Sequence, residues 1–311
     1  MAATPALIKE LRELTGSGMT DCKKALEETG GDIQKAIEFL REKGLAAAAK
    51  KSGRIAAEGV VAIKVSDDKK KAVMVEVNCE TDFVAINPDF KAYVDEVAEQ
   101  AFNSEAEDAA ALLTEAWAKG GGTVEEVLKG KIATIGENLN IRRIARIQCG
   151  ENGMISSYIH GGGKIGAMLK VHSEKAGDPA LAEMGYNLCM QIAALLPKYL
   201  KSEDVDQEYI ANETRILEAA AKNDESLAGK PEKVLEGIVK GRLQKQLKEI
   251  CLTEQEYVKD GSMTVSQYVE SVAKEIGSPI SLVRFECFEK GAGIEKKQED
   301  FAEEVAKAMQ G

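Results

Sequence analysis

Histidine and cysteine side chains carry out much of protein catalysis and metal binding, and this sequence has only two histidines and six scattered cysteines. Its two histidines, His160 and His172, stand beside no obvious nucleophile. A Ser-His-Asp arrangement needs a histidine with an oriented partner, so the sequence favours a protein without covalent chemistry of its own. A small-molecule enzyme built on the glycine turn after His160 stays an alternative, and it requires a pocket that both histidines line.

The cysteines indicate neither a zinc site nor a disulfide framework. They are Cys22, Cys79, Cys149, Cys189, Cys251 and Cys287, without any C-x-x-C pair. Scattered cysteines among apolar neighbours are typical of reduced thiols in the cytoplasm, so we expect a cytoplasmic protein with no metal site and no cofactor. The sequence has no run of 18 apolar residues and no apparent targeting leader, so we expect no membrane attachment.

The run Gly161-Gly162-Gly163-Lys164-Ile165-Gly166 matches the G-x-G-x-x-G pattern of dinucleotide sites. In those sites the glycines open a helix, whose N-terminus binds the pyrophosphate. Here the run leads into a strand, so we interpret it as a hairpin turn whose glycines supply positive φ. The basic residues Arg142, Arg143 and Arg146 are interpreted as solvated or paired at a strand edge.

Overall charge argues against nucleic acid as the main partner. The chain has 41 Lys and Arg against 52 Asp and Glu, a net charge of −11, and only 5% aromatic residues. Binding of phosphates needs basic surface, and binding of single strands uses aromatic platforms. We therefore expect no direct contact with nucleic acid.

The first 44 residues are predicted to form three short helices. Thr4 with Pro5, and later Asp32, are typical helix starts, and Gly44 is a plausible stop. The pattern resembles the fold of a ubiquitin-associated-like module, from which ubiquitin binding does not follow, and the simpler interpretation is a small helical bundle that docks on the rest of the chain. The Ala-rich, basic segment 45–54 is interpreted as a helical connector.

From Gly59 the apolar period changes to two, which predicts a β-hairpin with one buried face. A helix starting at Asn87-Pro88 and a closing strand near residues 141–149 complete a ββαβ unit. The pattern recurs from Gly153, with the run Ala145 to Cys149 matching Val283 to Cys287. We expect the open faces of the two units to be buried under helices or against each other.

Two features distinguish the repeats. The second repeat carries a surplus at about residues 198–262 with two helical stripes, which predicts an antiparallel coiled-coil-like arm. The arm either projects, which its charged outer faces favour, or packs on the core, and it is a possible site of homodimerisation.

The first repeat has a longer loop carrying Asp82 and Phe83, and a ring at a loop tip either folds back into the core or inserts into a partner.

Six runs of residues form motifs that can be compared with known families. They are Leu11 to Met19, Asp21 to Leu26, Glu76 to Ala85, Ile135 to Arg143, Tyr158 to Gly161, and Gly293 to Lys296. Together they resemble the translation elongation factor Ts family over essentially the whole chain. The resemblance implies a guanine-nucleotide exchange factor that binds the GTPase EF-Tu, in its GDP or nucleotide-free form, and exchanges GDP for GTP. The segment Thr81-Asp82-Phe83-Val84 would enter near the Mg²⁺ site and dislodge the ion.

Further partner-binding residues follow from the same motifs. They are Lys23, Lys24, His160, Gly161, Ile294 and Glu295. A rival hypothesis is a helical adaptor that recognises proteins through its first 44 residues without exchange activity.

The expected architecture is α+β. It comprises a ubiquitin-associated-like domain with its connector at 1–54, a core of two related ββαβ subdomains at 55–150 and 151–289, the arm at about 198–262 within the second, and a C-terminal helical module at 290–311.

Overall fold

The computed structural model describes residues 3–227 and 229–295. In chain order the helices are α1 (Pro5–Thr15), α2 (Met19–Glu28), α3 (Ile33–Lys51), α4 (Asp82–Ile86), α5 (Pro88–Asn103), α6 (Ala109–Thr114), α7 (Val124–Ile135), α8 (Pro179–Leu195), α9 (Gln207–Lys222), α10 (Glu232–Ile250) and α11 (Val265–Ile276). The strands are β1 (Glu58–Val65), β2 (Lys71–Cys79), β3 (Asn140–Gln148), β4 (Gly153–His160), β5 (Ile165–His172), β6 (Glu256–Tyr257), β7 (Asp260–Thr264) and β8 (Ser281–Glu289). This mixture of helices and small antiparallel sheets is α+β, as expected. Most of the C-terminal helical module expected at 290–311 lies outside the described residues, and among those described no helix is long and apolar enough to cross a bilayer.

Helices α1, α2 and α3 pack together around Leu11, Cys22 and Leu26. The expected caps are confirmed at Thr4 and Asp32, whose side chains accept hydrogen bonds from backbone N–H groups of the first turns. The expected stop at Gly44 is wrong, because α3 continues through it to Lys51.

The reason lies in how α3 packs on α7. A β-carbon at Gly44 would lie only 3.3 Å from that of Ala133 on α7. Glycine therefore serves a close helix approach here rather than a helix end. Further along α3, Ala48 is buried in the core beneath the first sheet, so α3 joins the N-terminal helices directly to the remainder of the chain.

Two three-stranded antiparallel sheets form the centre, with strand orders β1-β2-β3 and β4-β5-β8. Each has a register shift at the same place in its middle strand, after Glu76 and after Lys170. The middle strands pair Val75 with Ile144 and Leu169 with Phe285. The structure therefore makes Ile144 of β3 equivalent to Phe285 of β8. This alignment of the two closing strands is shifted by three residues from the one that their sequences suggest. That alignment equated Cys149, which lies beyond β3, with Cys287, which lies within β8.

The expectation of one buried face per hairpin is incomplete, because β2 is buried on both faces. Val73 and Val75 pack in the same core as residues of α5. Met74 points the other way and packs with Met168 of β5 in a core shared by the two sheets. The sheets thus bury one face against helices and the other against each other, and both possibilities raised by the sequence occur.

Helices α9 and α10 pack chiefly on each other, through a small apolar cluster that includes Leu217, Ala221 and Val239. Their base is held by backbone hydrogen bonds, from Tyr199 N–H to the Ile250 carbonyl at 3.1 Å and from Leu252 N–H to the Tyr199 carbonyl at 2.9 Å. Because Leu252 is fully buried in the core of the second sheet, the base belongs to that core although the two long helices do not.

Candidate functional site

The segment after β2 forms a single helical turn, α4, that joins directly to α5. The Thr81 hydroxyl begins this turn by accepting a hydrogen bond from Val84 N–H at 3.3 Å. Asn87 ends it and starts α5, accepting from Asp89 N–H at 2.8 Å. Two caps so close together leave α4 only five residues, so its backbone is fixed at both ends.

The turn separates its side chains into an inner and an outer set. Ala85 is buried in the core beneath the first sheet, and Val84 packs against the same core. Asp82, Phe83 and Ile86 face outward, with Phe83 78% and Ile86 67% exposed. The sequence left open whether the Phe83 ring folds back into the core, and in the structure it does not.

Glu137, just after α7, holds the start of this turn. One carboxylate oxygen accepts the N–H groups of Glu80 at 3.0 Å and Thr81 at 3.1 Å. The other accepts the Thr81 hydroxyl at 2.6 Å. The Glu80 carboxylate in turn accepts a hydrogen bond from the N–H of Asn138. The segments 80–81 and 137–138 are therefore hydrogen-bonded to each other in both directions.

Facing this turn is the β4–β5 hairpin loop, which confirms the interpretation of the glycine run. Gly161, Gly162 and Gly163 all have positive φ, at 58°, 66° and 100°. The Gly163 carbonyl accepts Val61 N–H at 2.8 Å, and a β-carbon on Gly163 would lie 2.6 Å from Val60. Glycine is therefore required both by the turn and by its close contact with β1.

A third wall comes from the residues that follow β8. Lys290 N–H donates to the Lys164 carbonyl at 2.9 Å, and its ammonium pairs with Glu58 at the start of β1. The backbone then passes so close to β1 that a β-carbon on Gly291 would lie 2.1 Å from the Ala57 carbonyl oxygen. The two sheets and the chain after β8 are thus joined at one place.

Between these walls lies an open cleft of about 870 Å³. It is lined by residues 58–60, most of 80–86, Lys91, Gly161, Gly162, Lys164 and Lys290. The lining thus contains both carboxylates and ammonium groups together with an exposed aromatic ring, a composition suited to contact with a protein surface rather than to enclosing a small molecule.

The two histidines lie at opposite ends of the β4–β5 hairpin, since His160 pairs with Ile165 and His172 with Gly153. Seven residue steps of strand separate them, roughly 23 Å. His160 is exposed beside the cleft, with its Nδ1 3.0 Å from the Tyr158 hydroxyl. This separation removes the basis for an enzyme that uses both rings.

Other candidate residues lie elsewhere. Lys23 and Lys24 are exposed on α2, where Lys23 pairs with Glu27 at 3.8 Å. Ile294 is half-buried and Glu295 is exposed, shortly after the Lys290–Gly291 wall. The structure therefore brings Thr81, Asp82, Phe83 and Gly161 to the cleft lining and leaves Lys23, Lys24, Ile294 and Glu295 outside it.

Comparison with known proteins agrees with the motifs that surround this cleft. The sequence model of the family described as "Elongation factor TS" matches residues 80–292. The match begins at the α4 turn and ends just after the Lys290–Gly291 wall, so it includes most residues of the cleft. The chain belongs to the elongation factor Ts family.

Full-length similarity supports the same assignment. The chain is 53% identical over 304 residues to elongation factor Ts of Clostridium perfringens strain SM101, covering 98% of each chain. It is 52% identical over 306 residues to that of Clostridioides difficile strain 630, again covering 98% of each. With elongation factor Ts of Clostridium kluyveri it shares 51% identity over 309 residues and 99% of each chain.

Two residues that shape the site could not be found from the sequence alone. Glu137 holds Glu80 and Thr81 across 57 and 56 positions, and Lys290 reaches Glu58 across 232. No local spacing reveals such pairs. The only available sign was that Glu137 lies within one of the family motifs.

Proposed function

We propose that this protein is a guanine-nucleotide exchange factor that binds EF-Tu and promotes the release of GDP and its replacement by GTP. It would do so without covalent chemistry of its own. Membership of the elongation factor Ts family supports the general activity. A role in translation also supports a cytoplasmic location.

One observation carries the finer mechanism: the Phe83 ring is 78% exposed on a turn whose backbone is capped at both ends. Exposing a large apolar ring forgoes the favourable free energy of burying it. A ring of this kind, held in place at the edge of a cleft, is typical of an anchor that becomes buried in a partner.

The proposed site of insertion is the Mg²⁺ region of EF-Tu. Mg²⁺ bridges the phosphates of a bound nucleotide and neutralises their charge. Insertion of Thr81-Asp82-Phe83-Val84 near that ion would dislodge it, and the nucleotide would then be held less tightly. The apolar contacts of Phe83 would supply the binding free energy that deforms the GTPase.

Other parts of the chain are proposed to add affinity. Residues 1–54, as a ubiquitin-associated-like domain, would use Lys23 and Lys24 to meet an acidic surface of EF-Tu. His160, Gly161, Ile294 and Glu295 would contact it around the cleft. We propose further domains at 55–150 and 151–289, with an arm near 198–262 able to mediate homodimerisation, and a C-terminal module at 290–311.

The decisive experiment follows release of labelled GDP from EF-Tu after addition of this protein. Catalytic amounts should accelerate release to a rate that depends on their concentration. Binding to EF-Tu without any acceleration would instead favour the adaptor hypothesis. The same assay, started with an excess of unlabelled GTP or GDP, shows whether both nucleotides can enter the vacated site.

A further inference from the structure

We infer that Glu137 is a positioning residue for exchange, which fixes the backbone of the α4 turn so that Phe83 is presented in one orientation before the partner arrives. The inference rests on the proposed function of Phe83 and extends it to a residue outside the inserted segment.

The argument starts from the number of groups that one side chain holds. The Glu137 carboxylate accepts three hydrogen bonds, from two consecutive backbone N–H groups and from the Thr81 hydroxyl. Hydrogen bonds to a charged acceptor are stronger than neutral ones. All three end at the two residues that immediately precede α4, so this side chain determines where the turn begins.

The Thr81 hydroxyl connects this anchor to the turn itself. It donates to Glu137 at 2.6 Å and accepts from Val84 N–H at 3.3 Å. A hydroxyl has one hydrogen to donate and two lone pairs, and the carboxylate fixes the direction of that hydrogen. The lone pairs are thereby directed towards the first turn of α4. The two hydrogen bonds that connect Glu137 to Thr81 and Thr81 to Val84 N–H thus hold the backbone on both sides of Phe83.

A fixed turn matters because Phe83 has little else to hold it. The ring is largely exposed, so its position depends on the backbone rather than on surrounding side chains. Ordering a flexible residue when a partner binds costs conformational entropy. When Glu137 has already ordered the turn in the free protein, this entropy cost does not reduce the free energy of binding to EF-Tu.

The test compares Glu137→Ala with Glu137→Gln. Alanine removes both carboxylate oxygens and with them all three hydrogen bonds, and nucleotide release at saturating concentration should slow about tenfold or more. Glutamine keeps one oxygen for the two N–H groups, and its amide can donate to the Thr81 oxygen, so it should restore release to within about threefold of the original rate. An unchanged rate for Glu137→Ala would overturn the inference.

Glu115→Ala is the matched control. Glu115 is also half-buried and accepts a hydroxyl, that of Ser104, at 2.6 Å, but its side-chain partners, Ser104 and Gln100, lie outside the α4 turn. Its loss should lower the unfolding midpoint without slowing release. If Glu115→Ala and Glu137→Ala slowed release equally at matched folded fraction, a general loss of stability would be the better account.

Two further measurements separate this inference from the proposed function. Deuterium uptake by residues 79–86 of the isolated protein should rise in Glu137→Ala and not in Glu115→Ala, with EF-Tu absent. In a double-mutant cycle, Phe83→Ala combined with Glu137→Ala should be about as slow as Phe83→Ala alone, because Glu137 acts through Phe83. Additive losses would contradict the positioning role. If the unaltered protein released no GDP, the proposed function itself would fail, whatever the deuterium uptake.

Discussion

The Oε1 atom of Glu76 accepts a hydrogen bond at 2.7 Å from the backbone N–H of Gly291, 215 positions further along the chain. Glu76 is fully buried in β2. Its carboxylate also pairs with Arg142 at 3.1 Å and Arg143 at 2.5 Å. The buried Glu76 carboxylate therefore links the first sheet to the segment that follows β8 and leads to Ile294. It is also the ion-pair partner of two of the three clustered arginines, Arg142 and Arg143.

Loss of this carboxylate should destabilise the fold. Glu76→Ala removes the ion-pair partner of Arg142 and Arg143 and the acceptor of the Gly291 N–H, and breaking a buried ion pair from one side costs about 3 kcal/mol. Urea denaturation at pH 7 measures the loss of unfolding free energy. Lys64→Ala is a suitable control, because its pairing with Glu99 is exposed and should contribute little. Equal effects of the two substitutions would contradict this assignment.

Glu76 should also make stability depend on pH. Burial alone would raise its pKa, but hydrogen bonds from Gly291 and Asn78 and the pairing with Arg143 outweigh burial and lower the pKa below 4.5. A lowered pKa in the folded state contributes stability above the unfolded pKa and loses it as pH falls through the folded pKa. The unfolding free energy should therefore fall less steeply below pH 4.5 in Glu76→Gln than in the unaltered protein. Parallel curves would show that other carboxylates dominate.

Phe83→Ala should slow nucleotide release strongly while leaving the fold intact. An anchor residue contributes about 2 kcal/mol or more at an interface, equivalent to about thirtyfold in rate or affinity. Because the ring is exposed in the free protein, the unfolding midpoint should hardly move. Asp82→Ala should have a smaller effect, since solvent screens part of its charge. Ile216→Ala, which removes an exposed apolar group from α9, should leave the rate unchanged and serves as the control.

The sequence reveals local features of this site better than its long-range ones. The Asn87-Pro88 helix start and the glycine turn could be predicted because each depends on neighbouring residues. The exposure of Phe83 could not, because periodicity does not say on which side of a single turn a ring lies. The roles of Gly44 and Glu137 were hidden for another reason: each depends on a partner that the fold brings close from a distant part of the chain.

Removal of residues 1–40 should weaken binding to EF-Tu without abolishing release at saturating concentration. The cut keeps the second half of α3, where Gly44 packs on Ala133 and Arg41 pairs with Glu126. Removal of residues 1–50 would also delete these two contacts and would expose the face of α7 that α3 covers. The double substitution Lys23→Glu/Lys24→Glu should reproduce part of the loss and should matter less at high salt. Normal binding with slow release would reverse the proposed roles.

The two arm helices should be dispensable for basal exchange. Replacing residues 207–248 by a short Gly/Ser linker removes most of the α9–α10 pair but keeps the base, including the buried Val205 and Leu252. The shortened protein should fold and release GDP at a near-normal rate. Unfolding of this variant would show that the arm packs on the core. Sedimentation of both forms tests whether the arm mediates dimerisation, which the shortened protein should then lose.

The last prediction concerns how nucleotide and Mg²⁺ affect the complex itself. If this protein stabilises a deformed EF-Tu, then its binding and nucleotide binding must weaken one another by the same factor. It can shift the GTPase only through different affinities for the two states.

GDP with Mg²⁺ should therefore dissociate the complex, and removal of Mg²⁺ should tighten it while reducing the advantage over spontaneous release. The direction follows from Asp82 and Phe83 acting where Mg²⁺ would otherwise hold the phosphates. Titration of the nucleotide-free complex with GDP at several Mg²⁺ concentrations measures both effects. In Phe83→Ala the coupling should shrink, because the differential contact is lost. A binding constant that does not depend on GDP or Mg²⁺ would leave adaptor binding as the better account of this cleft.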